Sequence, residues 1–430
     1  MDSLVKLNRN QLYHKILYFY FQEYIFRIPQ AEREKFIGTH FWAKVRHMLL
    51  ALLLSRRRAR TYPALEKQIK GKRWVFIFGK NNYEATRFLA DAGFVFVTES
   101  PRSFKHDHEI FLLPVRRRLT DFFRFIPTYL YLRKHEPRAP QVFDAVFAAQ
   151  GWLEAFQRIV KTFRPEAIVF SNDHSMVPRA LFYAAKSAGI PTIYVQHASI
   201  SPYMPPLEFD LSLLEGNDAL EKYRAKGIDG RVLLIGVPKM DHFIQRKRTI
   251  PAPFIRTVGI AFNTVDSHEK IRTLIDFLHK GSARLKFVIR PHPKDYRPLP
   301  LPTSSFFSYS DSKSESPADF ILRCDLIIAG DSSIHLEARL LNVDSIYYNL
   351  SESQSTYDLY GYLQTGLVKE FSDAGQILAY FEGYRPEEVE HFFPVIQRYH
   401  AGFATEVEGA SSLTAIQAID RFLREVINSA

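Results

Sequence analysis

Short runs of apolar residues recur along this chain, and segments with the period of an amphipathic helix lie between them. The runs in the first half are WVFIFG (74–79), GFVFVT (93–98), EAIVFS (166–171), PTIYVQ (191–196), DLSLLEG (210–216) and RVLLIG (231–236). The runs in the second half are VGIAFN (258–263), LKFVIR (285–290), SFFSYS (305–310), DLIIAG (325–330) and DSIYYN (344–349). Apolar strands that alternate with helices are typical of parallel sheets covered on both faces. The pattern predicts an α/β protein.

A basic stretch that contains prolines, QRKRTIPAPF (245–254), separates the two sets of runs and has no periodicity. Such a stretch is typical of a linker, and 430 residues exceed the usual size of a single core. We therefore predict two Rossmann-like, doubly wound domains, over residues 61–246 and 255–380, with a cleft between them. Residues 1–60 are predicted to form a helical N-terminal extension, and residues 381–430 to form helices that pack back on the N-terminal domain.

Polar residues follow the predicted strands at the points where they end. In open parallel sheets, ligands bind beyond the carboxyl ends of the strands. The polar strand ends are SNDHS (171–175), QHASIS (196–201), VPKMDHF (237–243), NTVDSHEK (263–270), RPHPKD (290–295) and DSSIHLEA (331–338). Because they share one edge of their sheets, we expect them to line the cleft.

One strand end, in which Gly330 and an aspartate precede two serines, suits a phosphate group. Ser332 and Ser333 open an amphipathic helix, so backbone N–H groups and two hydroxyls lie at a helix N-terminus. The alternative is that one serine only caps the helix. Glu337, one turn along, is expected either to face the cleft and accept hydrogen bonds from a ribose or to lie on an exposed face.

A second strand end, RPHP, sets a histidine between two prolines. Arg290 and His292 can stabilise the charge that develops on a leaving phosphate without a metal. Pro291 and Pro293 restrict the backbone and so hold the ring in place. The alternative is a stiff surface turn. Asn263, which ends the first strand of this domain, is expected to line the same nucleotide site.

The first domain is expected to hold the acceptor. Asp173 follows a strand and is a candidate general base, or else the N-cap of the next helix. Asp266 is a rival carboxylate and could act as a nucleophile in a double displacement, so the sequence leaves inversion or retention open. His174, Gln196 and His197 are predicted to contact a substrate; for the last two, the alternative is that they buttress the loop.

Composition limits the class of protein. The single cysteine, Cys324, excludes a disulfide framework within the chain and a zinc site built from cysteines. No run approaches the roughly 20 apolar residues that span a bilayer. We expect a cytoplasmic protein, or one bound peripherally to the cytoplasmic face of the inner membrane. The chain carries no helix-turn-helix, zinc-finger or ribonucleoprotein signature, so we expect no nucleic acid partner.

The net charge of +11 suits anionic lipid or a phosphorylated substrate. Arginines cluster at residues 56–60 and 116–118, and an aromatic segment, ILYFYFQEYIFRIP (16–29), lies upstream of the first cluster. This arrangement resembles a pair of helices that bind a membrane interface. The alternative is an amphipathic helix of the domain with a solvated basic face.

Several common site motifs are missing from the sequence. It contains no Gly-x-x-x-x-Gly-Lys-Ser/Thr loop, no Gly-x-Gly-x-x-Gly, no Asp-x-Asp pair after a strand, no His-Glu-x-x-His and no Gly-x-Ser-x-Gly. We therefore expect no bound metal and no cofactor apart from an activated donor substrate.

Taken in order, SNDHS, GIPTIYVQHAS, GVPKMD, KFVIRPHPKD and DLIIAGDSSIHLEARLLNVDSIYYN resemble bacterial glycosyltransferases of the GT-B fold that build capsule and lipopolysaccharide. The most similar groups are the capsule-synthesis Kdo transferases, the bacterial sialyl- and polysialyltransferases and the CDP-glycerol glycerophosphotransferases. The resemblance covers about residues 165–350. This chain has QHA at 196–198 where the families usually have QHG, and LLNVD at 340–344 where LLGxP is more common.

The resemblance implies that His292, Ser332 and Ser333 hold the phosphate of the donor nucleotide, commonly a CMP moiety, and that Asp173 is the acid or base on the acceptor side. It implies metal-independent transfer of a sugar, such as Kdo, to a growing glycan or lipid-linked glycan of the bacterial surface. The first alternative is transfer of glycerol phosphate or a phosphosugar. The second is a nonhydrolysing sugar-nucleotide epimerase or a catalytically silent scaffold.

Overall fold

The computed structural model describes residues 8–23, 25, 33–34, 37–53, 62–293, 295, 297–300, 305–312, 314–352, 358–386 and 389–428. The arginine cluster at residues 56–60 lies outside the described residues, as does part of the aromatic segment over 16–29.

The first sheet has seven strands, all of them parallel to their neighbours. They are β1 (Arg73–Phe76), β2 (Val95–Thr98), β3 (Ile110–Leu112), β4 (Ala167–Phe170), β5 (Thr192–Val195), β6 (Leu211–Leu214) and β7 (Arg231–Leu234). Their order across the sheet is β3-β2-β1-β4-β5-β6-β7. The order reverses between β1 and β4, as in a doubly wound domain.

The second sheet has six parallel strands and repeats this order. They are β8 (Thr257–Phe262), β9 (Lys286–Pro291), β10 (Phe307–Tyr309), β11 (Leu326–Ala329), β12 (Asp344–Tyr348) and β13 (Lys369–Phe371). Their order across the sheet is β10-β9-β8-β11-β12-β13. The predicted architecture of two doubly wound parallel sheets is confirmed.

Helices connect the strands and cover both sheets. The described α-helices are α1 (Arg9–Ile16), α2 (Phe41–Leu53), α3 (Tyr62–Ile69), α4 (Lys80–Thr86), α5 (Phe125–His135), α6 (Phe143–Phe163), α7 (Met176–Ser187), α8 (Asn217–Arg224), α9 (Asp241–Ile244), α10 (His268–Gly281), α11 (Pro317–Leu322), α12 (Ile334–Leu340), α13 (Ala374–Glu382), α14 (Phe393–Tyr399) and α15 (Ser411–Asn428). No helix in these ranges is both long enough and apolar enough to cross a membrane.

The start of the N-terminal extension belongs to the core of the first domain. Tyr13, Leu17 and Phe21 are at most 5% exposed and share a hydrophobic cluster with Phe156 and Ile168 of α6 and β4. The described part of the aromatic segment therefore follows the second alternative, a helix of the domain, because its apolar side chains are already buried against protein.

The C-terminal segment is divided between the domains. In α15, Ile419 and Phe422 pack with Val169 of the first sheet. In α14, Ile396 shares a cluster with Ile327 of the second sheet. Helix α15 thus packs on the first sheet, whereas α14 shares the core of the second. The return of residues 381–430 to the first domain stays a prediction. The domain boundaries themselves stay a prediction.

Candidate functional site

A cleft of about 540 Å³ separates the carboxyl edges of the two sheets. Lys80 follows β1, Asn263 follows β8 and Ser332 follows β11, and all three line the cleft. These strands lie where the strand order reverses in each sheet. Open parallel sheets bind nucleotides at such reversal points. The cleft therefore occupies the expected position for a ligand of either domain.

The structure brings many of the predicted residues to this cleft. The predicted residues that line it are His197, Asn263, Arg290, His292, Pro293, Ser332, Ser333 and Glu337. The predicted residues that are absent from the described lining are Asp173, His174, Gln196, Asp266 and Gly330. All but one of the first group belong to the second domain, so more of the residues predicted for the donor side than of those predicted for the acceptor side line the cleft.

The hydroxyls of Ser332 and Ser333 make few hydrogen bonds to the described residues. Ser333 is the N-cap of α12, but its side chain makes no capping hydrogen bond within the described helix. Among the described residues, Ser332 Oγ accepts one hydrogen bond, a long one of 3.4 Å from the backbone N–H of Ile334. Capping therefore does not account for this pair of hydroxyls, and both residues line the cleft.

His335 fixes the backbone in front of the serines. Its Nε2 donates to the carbonyl of Gly330 at 2.9 Å, and its Nδ1 accepts from the hydroxyl of Ser345 at 2.6 Å. Burial lowers the pKa of His335 to about 4, which keeps the ring neutral and suits one donated and one accepted hydrogen bond. The sequence offered no specific signal for this role, because a histidine inside a helix is most often an ordinary core or surface residue.

The RPHP segment is both a stiff turn and part of the cleft wall. The backbone N–H of His292 donates to the carbonyl of Phe262 at 2.9 Å, and the His292 carbonyl accepts from Asp295 at 2.8 Å. These bonds fix the main chain on both sides of the ring, and His292 and Pro293 line the cleft. The two alternatives for this motif are therefore compatible.

Arg290 is largely engaged within the second domain. Its guanidinium donates to Ser310 Oγ at 2.6 Å and to the carbonyl of Glu315 at 3.0 Å. It lies 5.4 Å from the centre of the Phe320 ring, and burial lowers its pKa. Arg290 contributes positive charge to the cleft, but two of its donors hold the loop that leads to α11.

Asn263 and Asp266 shape the loop that follows β8. The Asn263 side-chain amide donates to the carbonyl of Asp331 at 2.8 Å and so joins this loop to the serine loop. Asp266 Oδ2 accepts from the backbone N–H of Asn263 at 2.6 Å. Burial raises the pKa of Asp266 to about 6. This carboxylate is 4% exposed and does not belong to the described lining of the cleft.

An ion pair crosses the cleft, and the sequence did not single it out. Lys239, which follows β7, donates to Glu337 Oε1 at 2.6 Å. Burial acts to lower the pKa of Lys239, but Glu337 and Glu215 outweigh it and raise the pKa above its usual value. Glu337 is 8% exposed and lines the cleft, so it takes the first of its two predicted positions and not the exposed one.

Gln196 supports the loop after β5 from behind. Its Nε2 donates to Glu215 Oε2 at 3.1 Å and to the carbonyl of Ala198 at 3.0 Å, and its Oε1 accepts from the Glu215 backbone at 2.9 Å. Glu215 is 4% exposed, and burial raises its pKa to about 7. Gln196 therefore takes the buttressing alternative, while His197 beside it reaches the cleft.

Asp173 is a buried partner of His174. His174 Nδ1 lies 3.0 Å from Asp173 Oδ1, and the hydroxyl of Tyr223 donates to the other carboxylate oxygen. Burial acts to raise the pKa of Asp173, but the hydrogen bonds from His174 and Tyr223 outweigh it and lower the pKa. The carboxylate thus stays ionised and orients the imidazole, while Phe19 packs on that ring at 5.0 Å.

His197 completes the acceptor wall. Its ring lies nearly parallel to that of His174, with 6.5 Å between centres. Burial, together with the charge of His174, lowers the pKa of His197 to about 4. Its Nδ1 is shielded from water and has no hydrogen-bond partner among the described residues. The ring is therefore neutral at neutral pH.

The first domain also places basic side chains in the cleft. Lys80, Arg87 and Lys105 line it, together with the acidic Glu84 and Asp107. Arg87 lies 3.6 Å from Glu84 and 3.9 Å from Asp107, distances of loose ion pairs. This wall suits a ligand that carries negative charge together with hydrogen-bonding groups.

Comparison with known proteins reveals the fold family. No protein-family model and no curated protein sequence matches the chain. Among solved structures, it is similar to the wall teichoic acid polymerase TagF, with 13% sequence identity and a TM-score of 0.51, over 94% of this chain and 100% of that chain. The chain has the GT-B fold. At this identity the similarity establishes the fold and leaves the chemistry to be argued from the site.

Two further GT-B-like structures are similar over most of their length. The UDP-GlcNAc 2-epimerase from Neisseria meningitidis, bound to UDP-GlcNAc, is 12% identical, with a TM-score of 0.48 over 80% of this chain and 100% of that chain. The glycotransferase of kitacinnamycin is 12% identical, with a TM-score of 0.47 over 82% and 99%. Neither similarity is close enough to carry an argument about this GT-B chain.

Proposed function

We propose that this GT-B protein is a glycosyltransferase that moves a sugar from a nucleotide donor to a glycan acceptor. The observation that carries the proposal is the composition of the cleft. His292, Ser332 and Ser333 of the second domain face His197 and Lys239 of the first domain across it. Donors for a phosphate on one side, and an imidazole and an ammonium group on the other, suit a phosphate leaving group and an attacking hydroxyl.

On the donor side, the nucleotide phosphate would bind between His292 and the two serine hydroxyls. Glu337 would accept hydrogen bonds from the ribose, and Lys239 would supply positive charge as the phosphate departs. The resemblance of the RPHP and DSSIHLEA segments to the capsule-synthesis families favours a CMP-type donor, such as an activated Kdo. This arrangement requires no metal, because side-chain charges neutralise the leaving group.

On the acceptor side, Asp173 would act through His174. An ionised Asp173 orients the Nδ1–H of His174, which leaves Nε2 able to take a proton. The acceptor oxygen would attack the anomeric carbon, its proton would pass to His174, and the bond to phosphate oxygen would break with its electron pair. We favour this single displacement over a double displacement through Asp266, because Asp266 is only 4% exposed whereas the side chain of His174 is 21% exposed.

The biological acceptor we propose is a growing bacterial surface polysaccharide, of capsule or lipopolysaccharide, carried on a lipid. The protein would then work in the cytoplasm, on the cytoplasmic face of the inner membrane. The resemblance of residues 165–350 and the charge of +11 support this proposal.

A second candidate keeps the fold and transfers glycerol phosphate or a phosphosugar. The observation that favours it is the excess of basic over acidic side chains on the first-domain wall, where Lys80 and Lys105 accompany the paired Arg87. Such a wall suits a substrate with a second phosphate. Similarity to the fold of a teichoic acid polymerase is compatible with this candidate.

One experiment separates these functions. The protein is incubated with a CMP-sugar, CDP-glycerol or a UDP-sugar, with and without a glycan acceptor, and free nucleotide is measured. Glycosyl transfer predicts nucleotide release from the CMP-sugar only when the acceptor is present. Release from CDP-glycerol alone among the donors would instead establish the second candidate. Isomerised donor without acceptor would indicate an epimerase, and no turnover with any donor would favour a silent scaffold.

A further inference from the structure

Helix α2 and the segment from Leu119 to Leu130 leave large apolar side chains exposed to water. Trp42 is 73% exposed and Phe123 is 80% exposed. With their neighbours they form a surface that we name the docking face. Its members, each at least half exposed, are Phe41, Trp42, Leu49, Leu119, Phe123, Ile126 and Leu130.

The two parts of the docking face lie side by side on α6. The ring of Phe143, at the start of α6, lies 6.4 Å from Phe41 on one side and 6.4 Å from Tyr129 on the other. Met48 of α2 packs on the stacked pair Phe122 and Phe147. The exposed side chains of both parts therefore form one surface.

The docking face is held firmly, so its exposure is not a result of loose packing. Arg158 of α6 binds both carboxylate oxygens of Asp121 at 2.7 Å. Phe122 and Arg117 approach Gly151 so closely that a Cβ there would lie 2.6 and 2.8 Å from them. The segment is thus anchored through its buried side chains while its apolar side chains on the other face point to water.

The charge around the docking face is almost entirely positive. Residues 41–53 contain no acidic side chain, and residues 114–135 contain one, Asp121, which is buried and paired with Arg158. The exposed cations in these two stretches are Arg46, Arg116, Arg118, Arg124, Arg133 and Lys134. Such a surface would repel a second copy of itself. Large apolar side chains among cations match the headgroup region of an anionic bilayer.

We propose that the docking face binds the surface of a membrane rich in anionic lipid. Trp42, Phe123 and the other apolar side chains would enter the boundary between headgroups and acyl chains, and the arginines would contact lipid phosphates. The proposal places membrane contact on the docking face and not on the described part of the aromatic segment over residues 16–29. The proposed function enters this proposal at one point: membrane binding would bring the cleft to a lipid-linked acceptor.

Flotation of the full-length protein with lipid vesicles tests this surface. We expect binding to phosphatidylglycerol vesicles that weakens as salt is added, and much weaker binding to phosphatidylcholine vesicles. The double variant W42D/F123D should bind at least about tenfold more weakly, since each side chain loses its apolar burial. The control L413D alters a leucine of α15 that is 57% exposed and should bind like the wild type.

Three outcomes would overturn the proposal. These are no binding of the wild type to anionic vesicles, unchanged binding of W42D/F123D, or a dimer in solution that this double variant dissociates. Thermal unfolding shows whether the variants keep their fold. Nucleotide release with a short soluble acceptor, measured without vesicles, reports on the proposed function separately. Transfer without vesicle binding would therefore contradict the docking face alone.

Discussion

His292 illustrates how one residue can satisfy two interpretations of a sequence motif. The prolines and the main-chain bonds to Phe262 and Asp295 make a rigid turn, and the same turn sets the ring in the cleft wall. A rigid support lowers the entropy lost when the ring binds a phosphate. The rigid turn therefore supports the proposed binding of a phosphate by His292.

The ion pair between Lys239 and Glu337 gives a prediction that separates stability from activity. K239M should reduce kcat/KM by about a hundredfold or more, because the charge that faces the leaving phosphate is lost. It should also destabilise the fold by about 1–3 kcal/mol, since Glu337 is left without its partner. Steady-state kinetics and urea denaturation measure the two effects.

The double variant K239M/E337Q supplies the control. Removal of the second charge should restore most of the stability and none of the activity. Activity that returns with the stability would show that Lys239 only supports the fold.

Glu215 should make stability fall as the pH rises. Burial raises the pKa of Glu215 to about 7 in the folded protein, from 4.5 for an ordinary glutamate. The folded state therefore holds this proton more tightly, so the stabilising contribution is complete below about pH 4.5 and is lost as the pH rises through about 7.

The variant E215Q stays neutral and isolates this contribution. The unfolding free energy of the wild type, minus that of E215Q, should decrease between about pH 5 and pH 8, by at most about 1.4 kcal/mol per pH unit. A difference that is constant with pH would contradict the raised pKa.

At the scale of elements, α1 and the turn that follows it form an integral part of the first domain. Leu17 is fully buried in the core that also holds Phe156. L17A should cost about 2–5 kcal/mol, the usual range for a leucine truncated in a core. The matched control is L49A, because Leu49 is 53% exposed and its loss should change stability by less than about 0.5 kcal/mol. Equal stabilities of the two variants in chemical denaturation would refute this assignment.

Hydrophobic pattern was sufficient to find most of the strands and insufficient for two of them. Each of the eleven apolar runs overlaps a strand, and nine of these strands are central in their sheets, where parallel strands are buried on both faces. Lys369–Phe371 escaped because it lies at a sheet edge and has the polar sequence KEF. Ile110–Leu112 is apolar but lies in a run of only four apolar residues, IFLL (110–113), that ends at Pro114. The role of the aromatic segment over residues 16–29 was ambiguous in the sequence, because a membrane interface and a protein core both favour large apolar side chains.

At the scale of the whole molecule, the order of strands explains which site residues a sequence could reveal. Asn263, His292 and Ser332 end three adjacent strands, and strand ends can be read from the sequence. Lys239 and Glu337 meet across 98 residues and two domains, and no local pattern encodes that contact. Asp173 was visible as a strand-end carboxylate, but its burial behind His174 depends on Tyr223 and on packing by the N-terminal segment.

The placement of a nucleotide phosphate beside His292 is the central claim, and equilibrium binding of CMP tests it most directly. Isothermal titration should give saturable binding to the wild type and an affinity at least about tenfold lower for H292A, since a hydrogen bond to a charged phosphate is lost. The control H391A removes an exposed histidine that does not belong to the described lining of the cleft, and it should bind CMP like the wild type. CMP affinity that is the same in H292A and the wild type would contradict the account.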